Sequence, residues 1–221
     1  MTPDVHARRN LDPARPWLEA GRSWTAAADR IAAYDAERRG RRRLWKPAPS
    51  FDERKLRARA DACLWHAEQL DRLTAQGCIV LHDRIAPHSH NVIDHLVISP
   101  AGVVAIQDVP GLDYEPELDP QYGRMPGPLT TDYSTSISAV LAEHIVPALA
   151  RDDLFAVDFE VTIFGISVLV DRKVATTFND VLRPVEVVPF IEGQSRYLSP
   201  LQVQHLALGA EMALAAAPLQ G

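Results

Sequence analysis

Six side chains able to bind a metal or move a proton fall within fourteen residues: His82, Asp83, His88, His90, Asp94 and His95. Imidazole and carboxylate together suit Zn²⁺ or Mn²⁺. Alternation along an extended strand sends Asp94 and His95 to opposite faces, so the set is not expected to close on one ion. The loop histidines His88 and His90 read as solvated. A second cluster, Arg38, Arg39, Arg41, Arg42 and Arg43, would neutralise phosphates without regard to sequence and so points to DNA or RNA. Its plainer reading is a solvated helix end that pairs with acidic groups. Cys63 and Cys78 lack C-x-x-C spacing and read as buried free thiols. His144 and His205 each lie on an apolar helical face and read as core or boundary residues. No G-x-S-x-G, P-loop or dinucleotide glycine fingerprint occurs.

The chain that carries these groups has 221 residues, 47% hydrophobic and 24% charged. Those values exclude wholesale disorder, a collagen-like repeat and a disulfide scaffold. No run of 18 apolar residues is present, and the N-terminal MTPDVHARRNLDPARPW has no apolar signal region, so neither a membrane partner nor secretion is expected. With two cysteines, the expected address is the cytoplasm. The net charge of -6 conceals an asymmetry. Residues 1–60 hold 15 Lys+Arg against 8 Asp+Glu, a balance of +7, and the other 161 residues balance at -13. A basic arm on an acidic body fits a polyanionic partner, or an arm that docks on its own body or on a second copy. Lysine is scarce, at positions 46, 55 and 173 only.

Apolar spacing predicts a helix from Ser23 to Arg43, with Trp24, Ala27, Ala28, Ile31 and Tyr34 on one face. Lys46 to Ser50 reads as a stiff Pro-containing linker, which divides a basic helical extension (1–50) from the main domain (51–221). A second helix is predicted from Asp52 to Gln76, with Gly77 as its cap. Strands follow at Cys78–Leu81, Val92–Ile98 and Val103–Val109, with a loop over Asp83–Asn91 and a tight turn at Ser99–Gly102. Residues 110–133 read as a long irregular connection. Further elements are a helix over Ser134–Ala150, a buried strand over Val161–Val170, a strand over Val185–Phe190 and a closing helix capped by Ser199-Pro200. The order describes an α/β fold, a mixed sheet flanked by helices.

Val80-Leu81-His82-Asp83-Arg84, followed by Asn91-Val92-Ile93-Asp94-His95-Leu96-Val97-Ile98-Ser99-Pro100-Ala101-Gly102-Val103, resembles the nuclease-related domain (NERD) family. The resemblance is close over roughly 30 residues, and looser in element order to the C-terminus. It implies a restriction-endonuclease-like core, in which a strand carboxylate and a carboxylate two residues before a lysine bind Mg²⁺. On that pattern Asp94 stands in place. The carboxylate position has become Gln107 and the lysine position Val109, leaving Asp108 one residue out of register. The helical carboxylate position falls at Ala62-Cys63, beside Asp61. The resemblance therefore implies a degenerate catalytic site of Asp94, Gln107 and Asp108, with Asp94 as a weak Mg²⁺ ligand. The expected function is a catalytically impaired relative that binds nucleic acid or protein. The alternatives are a Mg²⁺-dependent nuclease with a rearranged site centred on Asp94, and a protein-interaction scaffold.

Overall fold

The computed structural model describes residues 19–39, 48–85, 92–109, 117–119, 123–125, 161–169 and 181–216. Helix α1 spans Arg22–Arg39 and helix α2 Phe51–Leu70. The side chain of Ser50 accepts from the backbone of Glu53 at the start of α2, where Asp52 and Glu53 also suit the helix dipole. A 3₁₀ turn, Asp71–Gln76, closes on Gly77 at φ 82°, a left-handed conformation that glycine adopts without strain. The chain then enters β1 (Ile79–Ile85), β2 (Val92–Ser99) and β3 (Gly102–Val109). A short antiparallel pair follows, β4 (Glu117–Asp119) with β5 (Gly123–Met125), inside the stretch expected to be irregular. The remaining elements are β6 (Ile163–Leu169), β7 (Val181–Leu182), α3 (Pro184–Glu192), α4 (Pro200–Ala213) and β8 (Ala215–Ala216).

The main sheet has six strands in the order β7-β6-β3-β2-β1-β8. Strands β1, β2 and β3 form an antiparallel meander, and β6 joins β3 in parallel with Val103 opposite Ile163. Alternation over the half of the meander next to the β2–β3 turn divides it between two cores. Leu96, Ile98, Val103 and Ala105 pack under α4, against Val203, Leu206 and Ala210. Val97, Val104 and Ile106 pack under α2 and α3, against Leu70, Leu73, Val187 and Ile191. Burial of each such large side chain contributes about 1.5–3 kcal/mol. The architecture is mixed α/β, as expected.

Helix α1 lies on α2, with Trp24 packed against Ala20, Cys63 and Ala67. The approach is close. Gly21 has φ 72°, and a Cβ there would stand 2.6 Å from the carbonyl oxygen of Ala60.

Two expectations need correction. Val185–Phe190 is not a strand but the body of α3, because Pro184 opens a helix and Glu186 reaches back to the Arg183 backbone N–H. Val187 and Ile191, four residues apart, then share the buried face despite their β-branched character. Strand β1 also continues through Asp83 to Ile85, where a loop was expected. The predicted helix over 134–150, with His144, lies outside the described residues, as do Lys173, His88 and His90. His205 is half-buried on α4, whose Leu201, Leu208 and Met212 are exposed.

Candidate functional site: a buried histidine–aspartate network

Where β1, β2 and β3 run beneath α1 and α2, a network of polar side chains replaces the apolar core. The origin is local. Asp83 adopts φ 54°, and the β1–β2 pairing passes from His82↔His95 to Arg84↔Ile93 without joining Asp83 to Asp94. A left-handed residue in mid-strand interrupts regular alternation. Consequently Asp94 and His95, consecutive in sequence, both bond to groups beneath the same helical layer. This overturns the expectation that they would face apart.

Asp94 is fully engaged. Its Oδ1 accepts from Trp24 Nε1 of α1 at 2.6 Å. Its Oδ2 accepts from Arg59 Nη2 of α2 at 3.0 Å and from the backbone N–H of Asp108 at 2.8 Å. Arg59 in turn stacks over the Trp24 ring, with 3.9 Å from its guanidinium carbon to the ring centroid. Burial opposes the charge on Arg59 most strongly, but Asp94 and the other groups around it together outweigh burial and raise the pKa. Asp83 sits alongside, accepting from both the backbone N–H and the hydroxyl of Ser23. Burial raises its pKa, and the Ser23 bonds moderate the effect.

Asp108 organises the second half. Its Oδ1 lies 2.7 Å from His66 Nδ1 of α2, and its Oδ2 lies 2.8 Å from His95 Nε2 of β2. Its burial favours the protonated form, yet His66 and His95 together hold the carboxyl below its ordinary range. The chain extends further, because His95 Nδ1 lies 2.8 Å from His82 Nδ1. One of these two facing nitrogens carries the hydrogen and the other accepts it. The rings of His66 and His82 each meet His95 edge to face, with centroids 5.1 and 5.0 Å away. Cys63 completes the group from α2. Burial first, then Asp94 and Asp108, raise its pKa well above the usual value and keep the thiol protonated.

Burial, followed by His95 and Arg84, depresses the pKa of His82 and keeps the ring neutral against the attraction of Asp108. An unfolded histidine takes up a proton below about pH 6.5, whereas folded His82 does not. The unfolded state thus binds more protons, and stability should fall as pH drops through that value. The expected contribution reaches about 1.4 kcal/mol per pH unit until the depressed folded-state pKa is met. Urea unfolding at a series of pH values should show this slope in the wild type and a flatter one in His82→Phe. An equal slope in the variant would assign the proton to another group.

Of the residues predicted from sequence, the structure brings Asp94 and Asp108 together, in the direct contact described above. Gln107 lies apart. By alternation it belongs to the α4 side, beside Ser167 of β6 in the ladder, and its Oε1 is buried with no hydrogen-bond partner among the described residues. Asp61 is exposed on α2. Arg38 is exposed near the end of α1, Arg39 is that helix's last residue, and Arg41, Arg42 and Arg43 lie outside the described residues. Both cysteines are free and buried. The sequence reading passed over His66, Arg59 and Ser23, and took Trp24 only as a packing residue. A signal existed for His66, which lies three residues after Cys63 on the same buried stripe.

The Mg²⁺ implied by the family pattern does not fit these residues. That ion takes oxygen ligands in near-octahedral array. Here three N–H donors, one of them a guanidinium, already occupy Asp94, and imidazoles hold both oxygens of Asp108. Among the described residues no helix is long and apolar enough to cross a membrane. No protein-family model, curated protein or solved structure matches the chain.

Proposed function

We propose that this chain is a nuclease-related, restriction-endonuclease-like domain whose ancestral metal site has become a structural lock, and that it acts in the cytoplasm by binding nucleic acid. The observation that carries the reading is the occupation of both Asp94 oxygens by Trp24, Arg59 and the Asp108 N–H. A carboxylate so enclosed serves cohesion between α1, α2 and the sheet. It is poorly placed to steady an attacking water. Binding then falls to the basic segment at the end of α1, whose Arg38 is exposed.

Roughly four to five phosphates neutralised by this segment should give a log–log salt slope near −4 on duplex DNA. Fluorescence anisotropy of the full chain against labelled DNA and RNA tests this. Replacing Arg38, Arg39, Arg41, Arg42 and Arg43 by glutamine should weaken binding at least tenfold at low salt and flatten the slope. Equal affinity in the variant removes the arm from the mechanism. Cleavage of the probe in Mg²⁺ or Mn²⁺ that disappears in Asp94→Asn would replace the binding reading with a nuclease.

A further inference from the structure

The polar network contains a donor set whose types and spacing suit a metal ion. Cys63 Sγ of α2, a ring nitrogen of His95 of β2 and a carboxylate oxygen of Asp108 of β3 lie within 4.8 Å of one another, and all three residues are buried. His95 Nε2 is the nitrogen that faces Asp108. His66, one helical turn beyond Cys63, brings its Nδ1 to 2.7 Å from Asp108 Oδ1. We propose that Cys63, His66, His95 and Asp108 form a structural zinc site that fastens α2 to the central strands.

Four observations support the assignment. One sulfur, two imidazole nitrogens and one carboxylate make the four-donor set of a closed tetrahedral Zn²⁺ site, whereas a thiol and two imidazoles are poor ligands for Mg²⁺. Cys63, His95 and Asp108 converge from three separate elements onto one buried point, and His66 stands beside them on Asp108. The Asp108 carboxylate is fully buried and bonded to two imidazoles, with no guanidinium or ammonium among its hydrogen-bond partners in the described residues. A dication there would balance its charge directly. Finally, the other nitrogen of His95 already faces His82 Nδ1, the kind of outer contact that fixes the ring of a metal-ligating histidine.

The adjustment at His95 and Asp108 is small, and His66 closes the fourth position by turning from Asp108 toward the ion. Zinc bonds of about 2.0 Å to nitrogen or oxygen and about 2.3 Å to sulfur set the ligand atoms roughly 3.3–3.7 Å apart. The 2.8 Å contact between His95 Nε2 and Asp108 Oδ2 widens by roughly half an ångström as the ion takes the place of the shared proton. His66 Nδ1 exchanges Asp108 for the ion, its hydrogen moving to Nε2, and Cys63 ligates as the thiolate, its proton released to solvent as zinc replaces it. This inference is independent of the nucleic-acid reading, and either can fail alone.

The test uses the full chain. Metal analysis of protein expressed with added zinc should find one zinc per chain. Titration of metal-free protein with Co²⁺ should give the intense visible bands of a tetrahedral ion and a thiolate-to-cobalt charge-transfer band in the near ultraviolet. Cys63→Ser should abolish the charge-transfer band, and His66→Ala or Asp108→Asn should weaken binding tenfold or more. The wild-type spectrum decides the matter even if a variant fails to fold. A wild type with no charge-transfer band on Co²⁺ and no thermal shift on Zn²⁺ overturns the proposal. So does binding that survives Cys63→Ser and is lost in His88→Ala with His90→Ala, which would place the ion on the loop.

Discussion

Asp94→Ala should lower the free energy of unfolding by about 3–5 kcal/mol, the range for breaking a buried ion pair by removing one partner. The substitution strands Arg59, whose side chain is only 14% exposed, together with the indole N–H of Trp24 and the backbone N–H of Asp108. Each is a donor left facing a gap. For a chain of this size the fall in Tm should be roughly 10 °C, read by calorimetry or circular dichroism. Asp94→Asn keeps an acceptor oxygen and should lose less. Adding Arg59→Met to Asp94→Ala removes the stranded cation and should restore part of the loss. A double-mutant cycle would then show a coupling of about 2–3 kcal/mol. Groups retained for catalysis commonly weaken the fold that holds them. An unchanged or raised Tm in Asp94→Ala would therefore identify Asp94 as a working carboxylate and end the reading of a locked site.

Gly102→Ala should be comparably damaging, at about 3–5 kcal/mol, through a different cause. Gly102 has φ 128°, a region that side chains rarely tolerate, and a Cβ there would stand 2.3 Å from the carbonyl oxygen of Thr162. That oxygen cannot retreat cheaply, because it accepts the backbone N–H of Val103 at 2.9 Å. The Thr162 N–H is held in turn by the Tyr197 hydroxyl, and the Tyr197 N–H bonds to the Pro100 carbonyl. The clash thus falls where the β2–β3 turn, the start of β6 and the approach to α4 are tied together. Backbone strain of about 1–3 kcal/mol adds to overpacking of similar size. Chemical denaturation of the purified variant measures the sum. A loss below 1 kcal/mol would mean that the turn relaxes freely and is not a fixed point of the fold.

The meander was legible because its signals are local. Alternating apolar residues around the Ser99–Gly102 turn set β2 and β3 almost to the residue, and Gly77 marks the exit from α2. Asp94, His95 and Asp108 stood out by residue type alone. Their arrangement could not be read, because it depends on the left-handed backbone at Asp83 and on which face of α2 meets the sheet. His66 and Arg59 illustrate the second limit. Each sits on a helix with its bonding partner 42 and 35 residues away, and no periodicity reports such a meeting. Helix α3 shows local signals in conflict, where Val185, Val187 and Val188 favour a strand and Pro184 with Glu186 favours a helix start. Packing of Val187 and Ile191 against the sheet decided between them.

The attachment of α1 can also be viewed as the binding of a tethered ligand. Eleven residues separate its end at Arg39 from the start of α2 at Phe51. A tether of that length holds α1 at an effective concentration on the order of millimolar beside its own receptor. Modest contacts through Ser23 and Trp24 therefore suffice to keep Asp83 and Asp94 covered. Cutting the tether would turn a permanent association into one that depends on protein concentration. A chain begun at residue 51 would uncover Asp83 and leave Asp94 only Arg59 and the Asp108 N–H, so its loss of binding would not report on the arginines alone. The contribution of the basic arm is for that reason measured by neutralising its arginines, with α1 left in place.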